Sequence, residues 1–225
     1  ICLIDVEGTW TEAWLRAQGI DTSLVYIQPC GSAEEATDAY VIAYASGEFE
    51  AVYLDSVAQL SPETEFDEGM AKWQQGLLSR LVGKWTRSVN RANAEFRKKG
   101  IIPPSTFFTN QIRVNTKAKY NQDTTPGGSQ QDNFATMILD LRYIGSEFDV
   151  TSKAEDAVAE GDEIIVGRGV QATFIKNKTA PPLRKTMLRY LIEPYAGHPA
   201  YSYFHGDTAL VYGLRLGIIQ KSGSW

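Results

Sequence analysis

Three carboxylates and an amide stand where short apolar runs end. Ala51-Val52-Tyr53-Leu54 ends on Asp55, and Ile1-Cys2-Leu3-Ile4 delivers Asp5 and then Glu7. Ser105-Thr106-Phe107-Phe108-Thr109 opens into Asn110-Gln111-Ile112-Arg113. Each run reads as a buried strand with polar groups at its carboxyl end, and open α/β sheets bind ligands outside that edge. An acid at Asp55 can hold the magnesium ion that bridges nucleotide phosphates, usually through water. A carboxylate at Glu7, on an adjacent strand, can orient and deprotonate the water that attacks a γ-phosphate. An amide at Gln111 can hydrogen-bond that phosphate and pull the following loop with it. Each residue also has a plainer use. Asp55 can cap the next loop, Glu7 can be a first-turn acid favoured by a helix dipole, and Gln111 can satisfy backbone groups at a strand end.

The phosphate-cradling part of such a site is missing from the sequence. No G-x-x-x-x-G-K-[ST] occurs, and Gly83-Lys84 is followed by Trp85 in a helical stretch. The expectation is that a phosphate loop lies upstream of Ile1, and that the chain, which opens inside a strand without an initiator Met, is a fragment.

The elements around these residues alternate. Ile1–Ile4 reads as a strand, Glu12–Gln18 as a short helix capped by Thr11, and Leu24–Gln28 as a second strand. Ser32 with Glu35 forms a capping box. The helix it starts repeats Ala36, Ala39, Tyr40, Ala43 and Tyr44 at helical spacing and stops at Gly47. Ala51–Leu54 is a third strand. A long helix over Lys72–Lys99 carries a core stripe of Trp73, Leu77, Leu81, Trp85, Val89 and Phe96, with Arg80, Lys84, Arg87 and Arg91 on another face. This rhythm predicts βαβ units and a parallel sheet. Val114–Gly128 is polar and aperiodic, the mark of a functional or disordered loop. Thr136–Tyr143, Gly169–Lys176 and Met187–Glu193 read as further strands, the last two antiparallel. The tail from Tyr195 is aromatic and glycine-rich.

Bulk properties narrow the class. At 225 residues, 43% hydrophobic and 22% charged, the chain fits one soluble domain. No apolar stretch reaches the roughly 20 residues of a membrane span, and no signal-peptide pattern is present. Cys2 and Cys30 make no disulfide framework and read as buried apolar residues in a reducing, cytoplasmic setting. His198 and His205 lack paired-ligand spacing, which argues against zinc. Net charge is −5, yet Ala71–Gly100 holds eight Lys/Arg and one acid. Ser61–Gly69 and Glu147–Glu163 are acidic. One concentrated basic element on an acidic body suits a polyanion track. A solvated helix face has the same composition.

Taken in order, these segments resemble the RecA recombinase family over nearly the whole chain. Ile4-Asp5-Val6-Glu7 resembles its segment with the catalytic glutamate, and Leu54-Asp55-Ser56-Val57-Ala58-Gln59-Leu60 its Walker B segment. Thr109-Asn110-Gln111-Ile112-Arg113 resembles the sensor strand entering the second DNA-binding loop, and Thr124-Thr125-Pro126-Gly127-Gly128 that loop's exit. Phe174-Ile175-Lys176-Asn177-Lys178-Thr179-Ala180-Pro181-Pro182 resembles the segment whose lysines reach a neighbouring subunit's ATP, and Gly217–Trp225 the end of the core domain.

The resemblance implies an α/β RecA-like ATPase core: a mainly parallel sheet flanked by helices, with antiparallel strands toward the carboxyl end. It implies one domain over residues 1–225, with the amino-terminal docking region, Walker A loop and carboxyl-terminal lobe outside it. Glu7 would be the base, Asp55 the magnesium-side acid, Gln111 the γ-phosphate sensor, and Lys176 and Lys178 would act in trans. Thr11 and Trp14 would lie near adenine, with Trp14 where the family usually has Tyr. Arg80, Arg87, Arg113, Thr125, Gly127 and Gly128 would contact DNA, with Gly76-Leu77 at the end of the first DNA loop.

The implied cofactors are ATP and Mg2+. The implied partners are single-stranded DNA, homologous duplex DNA and copies of the chain itself in a helical filament, with no membrane. The implied function is ATP-dependent homologous pairing and strand exchange in DNA repair, with these 225 residues alone expected to be inactive. Departures from the pattern are the acidic first loop with Gln75 in place of Met, Lys119-Tyr120 in place of a Met-Phe pair, the longer basic stretch Asn93–Pro104 and the enlarged acidic segment Glu147–Glu163. They suggest a divergent, phage-type member. The competing readings are a ring-forming helicase or clock-type ATPase, and a non-catalytic single-strand-binding protein.

Overall fold

The structure is a computed structural model, and it describes residues 1–64, 76–115, 122–146, 149–153, 163–204 and 217–218. The chain divides into two compact units, Ile1–Ala135 and Thr136–Trp225.

The first unit is built on a four-stranded parallel sheet of β1 (Cys2–Asp5), β2 (Tyr26–Pro29), β3 (Ala51–Asp55) and β4 (Ser105–Phe108), in the order β2-β1-β3-β4. Register sets Cys2 beside Val52, Ile4 beside Leu54, and Asp5 beside Asp55. Side chains alternate across a strand, so Cys2, Ile4, Val52 and Leu54 share one face. All four are buried there.

That face is covered by α2 (Ala33–Ser46) and α3 (Leu77–Lys98). Ser32 Oγ accepts from Glu35 N at 3.1 Å, as a cap should. The Glu35 carboxylate turns to Gly31 N at 2.7 Å, one residue before the position a capping box prescribes. Gly47, at φ +72°, closes α2 in the left-handed region. Trp85 fills the centre, fully buried, with Tyr40 and Phe108 ring centroids at 5.1 and 5.5 Å. Val89 is buried beside it, and Leu81 and Phe96 pack against the same core. The expected stripe therefore holds from Leu81 onward. Residues 72–75, including Trp73 and Gln75, lie outside the described residues.

Two local expectations shift. The strand expected from Leu24 begins at Tyr26, because Asp21 Oδ1 accepts from Ser23 N and Oγ and coils Thr22–Leu24 into a 3-10 turn. The polar stretch after Gln111 is not wholly loop. β5 (Arg113–Asn115) and β6 (Gln122–Thr124) form an antiparallel hairpin, and Ser129–Phe134 forms a short helix, α4.

The second unit is antiparallel. β9 (Glu163–Asn177) pairs with β7 (Met137–Tyr143), β8 (Val150–Lys153) and β10 (Lys185–Leu191). The antiparallel pairing of β9 with β10 is the one expected. The acidic stretch from Glu147 is only partly an excursion. Val150 is buried, and the Asp149 carboxylate, 1% exposed, accepts from Tyr143 Oη at 2.9 Å and faces the Arg168 guanidinium at 3.5 Å. The strand expected from Gly169 starts six residues earlier, because β8 gives β9 a partner there.

Candidate nucleotide and DNA site

The carboxyl edge of β1, β3 and β4 gathers the polar groups of the first unit. Asp5 is buried and accepts from Gly8 N at 2.9 Å and Trp10 N at 3.2 Å. Those bonds fold the chain after β1 into a tight turn, and Glu7 is exposed within it. Ser56, itself buried, donates from Oγ to Glu7 Oε1 at 2.5 Å. One oxygen of Glu7 is thereby fixed, and among the described residues the other accepts no hydrogen bond.

Asp55 is held on both sides. Its Oδ2 accepts from Trp10 Nε1 at 2.7 Å, and its Oδ1 accepts from Thr109 Oγ1 at the end of β4. The peptide joining Asp55 to Ser56 is cis. A carboxylate oxygen has two acceptor sites. Among the described residues each oxygen of Asp55 retains one beyond these bonds, so the group fits a hydrated magnesium ion, a hard cation that keeps several waters. Among the described residues no group of three or more His, Cys, Asp or Glu is placed to hold a metal.

Asn110 follows Thr109 and points into the first unit rather than out of it. Its Nδ2 donates to Pro126 O and to Gln131 Oε1, both at 3.0 Å, and its Oδ1 accepts from Gln111 N at 2.9 Å. Gln111 is exposed just beyond. Thr11 caps α1 (Glu12–Ala17) through Oγ1 to Trp14 N at 3.2 Å, and Trp14 lies half-buried one turn on. Tyr53 sits edge-on to Trp10, its hydroxyl pushed up from the ordinary range first by burial and then by the Asp55 charge.

The candidate DNA residues converge on the same unit. Arg113 pairs in register with Thr124, which places it beside Thr125. Gly127 and Gly128 both have positive φ, +87° and +77°. A Cβ at Gly127 would meet Val57 and Val82 at 3.0 and 3.1 Å, and one at Gly128 would meet Ser79 Oγ at 2.9 Å. The Gly-Gly pair thus rests on the first turns of α3. Arg80 and Arg87 are exposed there, two turns apart. Neither Arg80, Lys84 nor Arg87 has a salt bridge among the described residues.

Lys176 and Lys178 belong to the second unit. They flank Asn177, whose Oδ1 accepts from Thr179 N at 2.9 Å and Ala180 N at 3.1 Å and so fixes the turn after β9. Trp10, Ser56, Thr109, Asn110 and Gln131 are functional candidates that the sequence reading above does not single out. Ser56, Thr109 and Asn110 stood within the motif segments and carried a signal, whereas Trp10 and Gln131 did not.

The RecA N-terminal domain family matches residues 1–193. The chain belongs to the RecA family. It is 30% identical to Protein RecA of Thermotoga neapolitana over 223 residues, covering 99% of this chain and 56% of that one. It is 29% identical to Protein RecA of Bartonella tribocorum, covering all of this chain and 58% of that one. It is 28% identical to Protein RecA of Borrelia duttonii, covering 99% and 55%. The chain spans about half the length of these curated RecA relatives. The parallel sheet with flanking helices and the antiparallel second sheet are the RecA-like α/β fold. No helix among the described residues is long and apolar enough to cross a membrane.

Proposed function

We propose that this chain is the core of an ATP-dependent recombinase, one that polymerises on single-stranded DNA and pairs it with homologous duplex. The observation that carries this reading is the hydrogen-bonded continuity of one sheet edge. Ser56 holds Glu7, Trp10 and Thr109 hold Asp55, and the next residue, Asn110, holds Pro126. A hydrolytic pair and the segment matching the DNA-loop exit are joined within a few residues.

In this reading Glu7 orients the attacking water and accepts its proton at Oε2, while Ser56 keeps Oε1 in place. Asp55 would hold a hydrated magnesium ion, which would supply neutralisation of phosphate charge. Gln111 hydrogen-bonds the γ-phosphate, and Thr11 and Trp14 flank the adenine. Lys176 and Lys178 of a neighbouring copy neutralise charge in the transition state, so hydrolysis requires the filament. Arg80, Arg87 and Arg113 pair with DNA phosphates, and the amides of Thr125, Gly127 and Gly128 approach the backbone closely. Contacts of that kind do not read base identity, which suits a protein that must engage any sequence.

Electron microscopy of the native gene product with single-stranded DNA and ATP tests the assembly. Helical filaments that exchange strands with homologous duplex are expected. Closed rings would point to the helicase or clock-type ATPase instead.

A further inference from the structure

We infer that Gln131 is a positioning residue that transmits nucleotide state from the sensor strand to the loop exit. The inference rests on the recombinase reading above and extends it to a residue outside the motif segments. Gln131 lies on α4 and is 1% exposed. A buried amide is costly unless its hydrogen bonds are made. Here both ends are used, and they face different segments. Oε1 accepts from Asn110 Nδ2 at 3.0 Å, at the end of β4. Nε2 donates to Thr125 Oγ1 at 3.1 Å and to Pro126 O at 2.5 Å, after β6.

The bonds form one chain. Gln111 N donates to Asn110 Oδ1, Asn110 donates to Gln131 and Pro126, and Gln131 donates to Thr125 and Pro126. A shift of Gln111 toward a phosphate alters the acceptor on Asn110, and Gln131 carries the change to Thr125. The surroundings are closely packed, with a Cβ at Gly127 meeting Gln131 Oε1 at 3.4 Å and Val57 and Val82 closer still. Packed, fully satisfied networks hold discrete arrangements rather than deforming smoothly. An apolar side chain at 131 would fill the space but remove the bonds to Asn110 Nδ2 and Thr125 Oγ1, leaving the direct bond from Asn110 to Pro126 O as the link between the two segments.

The test uses the native gene product and a labelled single-stranded oligonucleotide. Its affinity is measured by fluorescence anisotropy with and without a non-hydrolysed ATP analogue. The wild-type protein is expected to bind DNA more tightly with the analogue, by roughly 5- to 150-fold as coupled sites do. Gln131→Leu is expected to reduce that ratio to about 2 or less, with analogue affinity in the absence of DNA within about twofold of wild type. A purely structural role would lower the melting temperature and leave the ratio alone. An unchanged ratio in folded Gln131→Leu overturns the inference. Should that variant not melt cooperatively, Gln131→Met, unbranched and of the same reach, is read against the same two outcomes. A wild-type protein whose DNA affinity ignores the analogue overturns the recombinase reading itself, so the two failures are distinct.

Discussion

Ser56 Oγ donates to Glu7 Oε1 at 2.5 Å across 49 positions of sequence. The contact exists because β1 and β3 are parallel neighbours in register at Asp5 and Asp55, so the residues just past their ends meet. Hydrogen bonds to charged groups contribute about 1.5–3 kcal/mol. Ser56→Ala is therefore expected to lower kcat of DNA-stimulated ATP hydrolysis by about 10- to 100-fold with little change in KM for ATP. A steady-state ATPase titration checks it, and a wild-type kcat would show that the serine does not position Glu7.

Gly127 carries two separate demands, a φ of +87° and a Cβ-free surface against Val57 and Val82. Left-handed backbone costs a non-glycine residue about 1–2 kcal/mol, and the crowding adds about 1 more. Gly127→Ala should lower unfolding stability by about 2–3 kcal/mol in a urea melt. A loss below about 0.5 kcal/mol would mean that the Gly-Gly segment is not packed on α3.

Much of this arrangement is written in residue periodicity. The two-residue alternation of Cys2, Ile4, Val52 and Leu54 and the helical spacing of Leu81, Trp85 and Val89 specify buried faces directly, because burial selects side-chain type. Polar geometry is different. Gln131 sits in a polar run, Ser129-Gln130-Gln131-Asp132-Asn133, whose composition says turn or loop. Only the fold shows that one of its amides is buried. The antiparallel pairing of β5 with β6 is illegible in the sequence for the same reason, since Arg113–Asn115 and Gln122–Thr124 lack apolar alternation. Trp10 resembles a loose aromatic residue after Gly8-Thr9 until β1 and β3 are set side by side. The displacement of β2 came from one side chain, Asp21, whose local hydrogen bonds outcompete a strand start.

Burial pushes the Cys30 thiol up to about 11, with the nearby Glu35 charge adding to it. Burial also raises the Tyr40 hydroxyl, which donates to Val52 O at 2.9 Å. Both groups lose their protons at lower pH in the unfolded chain than in the folded one. The Cys30 contribution to stability is thus intact below about pH 9 and lost as the pH climbs through about 11, and the Tyr40 contribution is lost at higher pH. The urea midpoint should fall between about pH 8 and about pH 10.5. Equal midpoints would mean that the two groups are not buried in their neutral forms.

Arg80 and Arg87 stand two turns apart on an exposed stretch of α3 without salt-bridge partners among the described residues. Replacing either with Ala should weaken single-stranded DNA binding to a similar extent for every sequence. The salt dependence of log affinity should fall by roughly one unit for each. A loss confined to particular sequences, with the slope unchanged, would reject phosphate pairing.

In the proposed recombinase, the edge where Glu7, Ser56 and Asp55 meet splits ATP under the control of DNA bound nearby. Steady-state ATP hydrolysis by the native gene product, with and without single-stranded DNA, measures it most directly when wild type is set beside Glu7→Gln. Hydrolysis should rise with DNA in the wild type and fall by about 100-fold or more in Glu7→Gln, with analogue-dependent DNA binding retained. Wild-type hydrolysis indifferent to DNA, or a Glu7→Gln variant that hydrolyses ATP at the wild-type rate, would contradict it.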